Sequence, residues 1–385
     1  MGTFRVSNAR LVGLTVAVPE ETTTVAQFAD SADFESVQKI SQSLGIEQRP
    51  TAPREVCASD LCAAAAERLL ERAGWERDSI DVLVFLSQTP DYALPATACV
   101  LQQRLGLSTA CAAFDVNLGC SGFPYGLWLV SQLISAGQMK RALLLVGDTL
   151  SRKVSPQDSA TAHLFGDSGT ATAIEFDPAA ADMNFVLGTD GRGAAHLIVP
   201  AGESRQPHDE QTHQRTTRAD GGTRSDADIS MNGPEVFSFT LKEVPALAQQ
   251  TLQQAGWSLD EVDSVVMHQA NTFMLNHLGK RMKLPKEKMP LSLREFGNTS
   301  CASIPVTMAA CLSDSLTTSA QKLMLLGFGV GFSWAGAAIT CGPLACAEVL
   351  RIGSTARDSE KLSEKSEGEA AAELPASDHG SRRAA

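Results

Sequence analysis

The sequence predicts a duplicated α/β fold whose two halves stack in layers about a pseudo-two-fold axis. Three observations carry that reading. Apolar, β-prone runs alternate along the chain with segments of helical periodicity. The segment LLERAGWERDSIDVLVFLS (69–87) recurs as TLQQAGWSLDEVDSVVMHQ (251–269), and Asp81 recurs as Asp263 at the separation that relates the two AGW triplets. Farther on, ALLLVGD (142–148) is matched by LMLLGFG (323–329) at nearly the same separation, and GCSGFP (119–124) falls opposite GNTSCASIP (297–305). A spacing kept over several segments marks an internal repeat rather than chance likeness between generic helix–strand units. Loops of both halves would then meet at one site.

Taken in order, residues 4–18 read as one strand, and 20–56 as mixed polar sequence with a loop near Pro50 to Arg54. A helix capped by Ser59 and Asp60 follows, with Ala63, Ala64, Leu69 and Leu70 on one face and Gly74 at its end. Asp81 opens a buried strand over 82–87. A turn from Thr89 to Tyr92 leads to a second helix, Thr97 to Leu105. The strand containing Ala112, Ala113, Phe114 and Val116 then runs into a Gly-Cys-Ser-Gly turn. A helix with Leu127, Leu129, Val130, Leu133 and Ile134 on its apolar face lies behind that turn. Residues 142–148 form a strand and 151–170 a polar connection. Residues 203–229, rich in Thr, Asp, Arg and Gly, read as a surface insertion. The stretch from Lys322 to Glu348 lacks internal charge and is long enough to span a bilayer. Its six punctuating glycine and proline positions, from Gly327 to Pro343, favour two buried strands around a turn. The division expected is an N-terminal half over 1–183, a C-terminal half over 184–352, and a tail over 353–385 too poor in large apolar residues to order itself.

Composition bounds the function. Of the 385 residues 43% are hydrophobic but 5% aromatic, so the core is built of Ala, Leu and Val. A net charge of −12 argues against general nucleic-acid binding while leaving room for a local basic patch. Nine cysteines without paired metal spacing point to free thiols in a reducing, cytoplasmic setting and to no resident metal. The first apolar run, Leu11 to Val18, is short and lacks the flanks of a signal peptide, and no membrane segment is expected.

Three segments supply chemistry. At the turn in DVNLGCSGFPYG (115–126), Cys120 sits at a helix N-terminus, where the dipole and free N–H groups favour a thiolate. A buried structural cysteine fits that segment too. In MHQANTFML (267–275) a strand ends and a helix begins, which puts His268 at the carboxyl end of a strand, where open α/β sheets bind ligands. In FGNTSCASIP (296–305) Asn298 occupies a turn before a helix, near the repeat mate of the Cys120 turn. Each residue alone has an ordinary structural explanation. Together they are a nucleophile and two hydrogen-bonding groups on converging loops, as covalent catalysis requires.

Six motifs in order carry a resemblance: GCSGF, LFGDSGTA (164–171), MNGPEVF (231–237), HQAN (268–271), GNTSCASIP and GFGVGFSW (327–334). From about residue 4 to residue 340 the sequence resembles the β-ketoacyl-acyl-carrier-protein synthase III group of the thiolase superfamily. The resemblance implies a five-layered αβαβα duplication, usually a homodimer. It further implies that an acyl group passes from a thioester, acyl-CoA or an acyl carrier, to Cys120. His268 and Asn298 then stabilise the enolate formed when malonyl on an acyl carrier protein loses carbon dioxide. The backbone N–H groups of Cys120 and Val330 form the oxyanion hole. Phe165, Met231, Gly233 and Phe237 match positions around the pantetheine tunnel and acyl pocket, as do Asn271 and Phe328. Leu94 matches a position given by a partner subunit to the end of the acyl pocket. Lys280 and Arg281 match basic residues that dock the acidic carrier, although a solvated helix face explains them equally. The substrates themselves are thioesters of CoA or carrier protein, and no further cofactor is implied.

The departures fall at the nucleotide end. VQKISQSLGIEQRP (37–50) has neither Trp nor Arg before Gly45, Phe273 replaces a basic residue, and Pro234 replaces a polar pantetheine contact. They favour weak CoA binding or a carrier-bound donor and, with the insertion, tilt the reading from fatty-acid initiation toward a specialised pathway, such as polyketide formation, with both open. A thiolase would need a second cysteine in GFGVGFSW. Relatives that form esters or amides often lack the asparagine, and a non-catalytic carrier-binding subunit would be expected to lose Cys120 or His268.

Overall fold

The computed structural model of the chain describes residues 1–24, 27 and 34–353. The chain opens with β1 (Gly2–Val6), β2 (Ala9–Pro19), β3 (Thr22–Thr24), helix α1 (Phe34–Leu44) and β4 (Gln48–Pro50). The first repeat is α2 (Ala58–Ala73), β5 (Val82–Leu86), α3 (Thr97–Arg104), β6 (Ala112–Val116), α4 (Gly122–Ser135), β7 (Arg141–Asp148) and β8 (Ser168–Phe176). β9 (Met183–Thr189) leads into the short strands β10 (Leu197–Ile198), β11 (Thr216–Thr217), β12 (Thr223–Arg224) and β13 (Ser230–Met231). The second repeat is α5 (Gly233–Ala255), β14 (Ser264–Met267), α6 (Thr272–Met282), the single turn α7 (Leu293–Phe296), α8 (Ser303–Thr318), β15 (Gln321–Gly329) and β16 (Ser333–Cys341), and β17 (Ala347–Ile352) ends the described chain. All but Gly353 of the tail expected to be disordered lies outside the described residues.

The repeat is visible in the bonding. Gly74 and Gly256 both end their helices in the left-handed conformation, with φ of 64° and 68°. Trp75 lies under the Arg141 guanidinium at 4.8 Å, and Trp257 under the Lys322 ammonium at 5.0 Å. Asp81 accepts the N–H groups of Lys140 and Arg141 at 2.5 and 3.1 Å, and Asp263 accepts that of Lys322 at 2.7 Å. The same three residues therefore clamp helix end to strand start in both halves.

Two large sheets result, in the orders β17-β2-β8-β7-β5-β6 and β1-β9-β16-β15-β14, beside the two-stranded pairs β3-β4, β10-β13 and β11-β12. Helices α4 and α8 lie between them in one apolar core that includes Phe123, Leu127, Ile304 and Met308. α2 and α3 cover the outer face of the first sheet, and α5 and α6 that of the second. The fold is thus a five-layered αβαβα sandwich. β15 and β16 pair antiparallel around the glycine-rich turn, as the punctuation of that stretch implied. Among the described residues no helix is long and apolar enough to cross a membrane.

Three local expectations need correction. Residues 4–18 are two strands in different sheets: Asn8 takes a left-handed φ of 63°, which its short polar side chain tolerates, and turns the chain between them. The helix after residue 57 is capped by Cys57, whose N–H bonds Asp60 at 2.6 Å, while Ser59 is drawn away to Asp91 at 2.7 Å. Residues 203–229 are not simply a surface insertion, because ion pairing buries part of them. Arg224, 7% exposed, bridges Asp158 at 3.2 Å and Asp220 at 2.6 Å.

Candidate active site

Cys120 stands at the turn between β6 and α4, with a buried side chain. The β15–β16 turn closes over it. A Cβ on Gly329 would lie 2.8 Å from the sulfur, so a side chain there would collide with the thiol. Ser333 fixes that turn by donating to the Val330 carbonyl at 2.8 Å and meeting Ser121 at 2.6 Å. The backbone N–H groups of Val330 and Cys120 both favour the thiolate, but burial outweighs them, and the carboxylate of Asp148 adds to it. The thiol is pushed up to about 11. Position at a helix N-terminus therefore does not leave Cys120 as a resting thiolate. Desolvation of the charged form wins.

His268 follows β14 and is 2% exposed. Burial takes its imidazole down to about 3, so the ring is neutral. Its Nδ1 lies 2.7 Å from Ser303 Oγ at the start of α8, and that oxygen accepts the Gln269 N–H at 3.3 Å. The hydroxyl so placed can give its proton to Nδ1, the arrangement in which the neutral ring keeps its own proton on Nε2. Phe328 holds the ring edge-on at 5.5 Å.

Asn298 is oriented by its own turn. Its Oδ1 accepts the Ser300 N–H at 2.9 Å, which directs Nδ2 the other way, toward the Ala270 carbonyl at 3.4 Å. Its main chain bonds Leu164 and Gly166, which ties the loop to the segment containing Phe165.

One cavity of about 480 Å³ is lined by Cys120, His268 and Asn298 together. Of the substrate positions expected from sequence, Phe165, Met231 and Gly233 line it, as do Phe237, Asn271 and Phe328. Leu94 does not. It is 83% exposed, away from the cavity of its own chain. Lys280 and Arg281 lie outside the cavity on the exposed side of the last turn of α6, and neither joins an ion pair among the described residues. No group of three or more His, Cys, Asp or Glu among the described residues is arranged to hold a metal.

Sequence reasoning passed over two supporting residues. Ser303 orients His268. Asp148, fully buried at the end of β7, accepts Ser87 Oγ at 3.0 Å, Gln88 N–H at 2.7 Å and Cys301 Sγ at 3.2 Å. An acid ending the apolar run ALLLVGD was the available signal for Asp148.

The family models for 3-oxoacyl-[acyl-carrier-protein] synthase III match this chain over residues 114–191 and, for the C-terminal part, 252–341. A β-ketoacyl-[acyl-carrier-protein] synthase III of Caldanaerobacter subterraneus subsp. tengcongensis is 32% identical, the alignment covering 86% of this chain and 97% of the relative. That of Geobacillus kaustophilus is 33% identical over 87% and 99%. Among solved structures, a 3-oxoacyl-(acyl-carrier protein) synthase from Burkholderia xenovorans LB400 is similar with a TM-score of 0.87 and 44% identity, covering 91% of this chain and 99% of the other. The synthase III of Pseudomonas aeruginosa PAO1 gives 0.74 and 31%, covering 88% and 99%.

Proposed function

The chain belongs to the 3-oxoacyl-acyl-carrier-protein synthase III family of condensing acyltransferases, and from that premise we propose how its own residues divide the reaction. The observation that carries the proposal is the single cavity shared by Cys120, His268 and Asn298.

In the first half-reaction the Cys120 sulfur attacks the carbonyl of an acyl thioester. The negative charge of the tetrahedral intermediate falls on an oxygen held by the Cys120 and Val330 N–H groups. The bond to the donor sulfur then breaks, and the donor thiol leaves with the cysteine's proton. In the second, malonyl on an acyl carrier protein enters. The Nε2–H of His268 and the Nδ2–H of Asn298 donate to its thioester carbonyl, and carbon dioxide leaves. The enolate carbon attacks the acyl-Cys120 carbonyl to give the 3-oxoacyl product. Two neutral donors aimed at one oxygen stabilise developing charge most where water is excluded. The low basicity of His268 suits a donor rather than a proton acceptor. Loss of carbon dioxide makes the carbanion without a strong base, so no step calls on a metal.

Phe165, Met231, Gly233, Phe237, Asn271 and Phe328 are the walls along which the thioester arm and acyl chain run, and Lys280 and Arg281 meet the acidic carrier. The chain acts as a homodimer in which Leu94 reaches the acyl pocket of the partner. The exposure of Leu94 and the unpaired outer edge of β6 support this. The halves 1–183 and 184–352 are the units of the repeat, and nine unpaired cysteines fit the reducing cytoplasm.

The test separates the half-reactions. Asn298→Ala should form acyl-enzyme, read as an intact-mass shift, but condense on the order of 100- to 1,000-fold more slowly. Cys120→Ala should form none and still release labelled carbon dioxide from malonyl carrier. Condensation by Asn298→Ala at the parental rate would remove Asn298 from the mechanism.

A further inference from the structure

The cavity opens between the start of α5 and the start of α6, at Gly233, Pro234, Phe237 and Phe273. Among the described residues not one Lys, Arg, Asp or Glu lines it. Its histidine is held neutral. A helix N-terminus ordinarily offers free N–H groups to phosphate, but beyond Gly233 the first turn of α5 withholds them. Pro234 has no N–H, that of Glu235 bonds Asn232 Oδ1 at 3.3 Å, and that of Val236 bonds the Asn232 carbonyl at 3.0 Å. The exposed Glu235 side chain adds a negative charge in the same turn.

Aromatic groups occupy the rim. Phe273 is 52% exposed, with its ring 4.3 Å from His277 and 5.6 Å from Phe237. α1 packs beside α6, and the Gly45 that follows α1 presses on Thr272, next to Phe273. From residue 34 to Gly45 the sequence holds one cation, Lys39. The unpaired cations Lys280 and Arg281 stand on the face of α6 that continues outward from Phe273 through His277, about 10 Å along the axis.

A nucleotide diphosphate is multiply anionic and needs cations or backbone donors within reach of its phosphates. A pantetheine arm is neutral, amide-rich and apolar along much of its length. We infer that this mouth accepts the arm alone, and that the acyl donor, like the malonyl extender, reaches Cys120 on an acidic carrier protein whose surface meets Lys280 and Arg281, with the nucleotide of CoA contributing no binding. This rests on the assignment of Cys120 as the acyl acceptor. The chemistry is thioester exchange: the acyl carbon–sulfur bond to the arm breaks, that to Cys120 forms, and the cysteine's proton leaves with the arm's thiol.

The experiment offers the full-length enzyme one acyl group on CoA, on pantetheine and on an acyl carrier protein, and follows acyl-Cys120 by intact mass. The expected result is kcat/KM for acyl-CoA and acyl-pantetheine within about 3-fold of each other, and at least about 10-fold higher for the acyl carrier. The carrier's advantage should shrink with added salt and in Lys280→Glu and Arg281→Glu. Phe273→Arg should raise the rate from acyl-CoA selectively. An acyl-CoA rate more than about 10-fold above that of acyl-pantetheine overturns the inference while leaving Cys120 as the acceptor. Equal rates from carrier and pantetheine overturn the carrier's part in it. Failure of all three donors to charge Cys120 overturns the proposed reaction and this inference with it.

Discussion

At Cys120 two influences oppose each other, and in the reaction proposed their balance sets the pH at which the enzyme can be charged. Burial and Asp148 disfavour the thiolate, while two backbone N–H groups favour it, and the outcome lies near 11. The thiolate fraction should therefore rise about tenfold per pH unit from neutrality until the pH approaches that value. Iodoacetamide labelling of Cys120, followed by mass over pH 6 to 10, should show a rate still climbing at the top of the range. A plateau near neutrality would mean that the backbone donors prevail. Ser303 carries the second prediction. Ser303→Ala takes away the proton that fixes Nδ1, and condensation should fall on the order of 10- to 100-fold while acyl-enzyme formation persists. Ser303→Thr should restore the rate, and the imidazole nitrogen shifts should report loss of the Nε2–H tautomer in the alanine variant. That Cys120, His268 and Asn298 converge on one cavity was legible in the sequence, because each stands in a strand end or turn whose pattern is local. Ser303 and Asp148 were not. Their importance depends on which distant groups the fold lays against them, and a serine at a helix start or an acid at a strand end has a bland local meaning.

The elements were read through the repeat. The AGW triplet and its aspartate proved to be one device used twice, which is why their spacing is kept. The device is unequal in the two halves: Asp81 holds two backbone N–H groups and is partly buried, whereas Asp263 holds one and is exposed. Asp81→Ala should cost about 1–3 kcal/mol, measured by denaturant unfolding, and Asp263→Ala distinctly less. Equal losses would show that the clamp acts through something other than these bonds. What the pattern could not give was the break in residues 4–18. Phe4-Arg5-Val6 and Ala9-Arg10-Leu11 alternate alike on either side of Ser7 and Asn8, and the left-handed Asn8 divides one apparent strand into two.

At the scale of the whole molecule the layers followed from the duplication, but the edges did not. β1 belongs by position to the first half yet pairs with β9 in the second sheet, and β17, from the far end, pairs with β2 in the first. Nothing in GTFRV or AEVLRI states which sheet each will join. With edge strands exchanged and α4 and α8 packed in one shared core, the halves should unfold together. Trp75 and Trp128 lie in the first half, Trp257 and Trp334 in the second. The double variants Trp75→Phe/Trp128→Phe and Trp257→Phe/Trp334→Phe, each keeping the tryptophans of one half, should give superimposable fluorescence transitions, coincident with loss of helical circular dichroism. Two separated transitions would show that the halves hold their structure independently. The exchange also imposes an order on biosynthesis. As the chain leaves the ribosome, β2 emerges before the other strands of its sheet, and its partner β17 after all of them. Until then one flank of the first sheet stays open to any extended peptide that passes. From the making of β2 to the making of β17 the nascent protein thus carries that edge unfilled, and the strand that covers it follows all the other strands of its sheet.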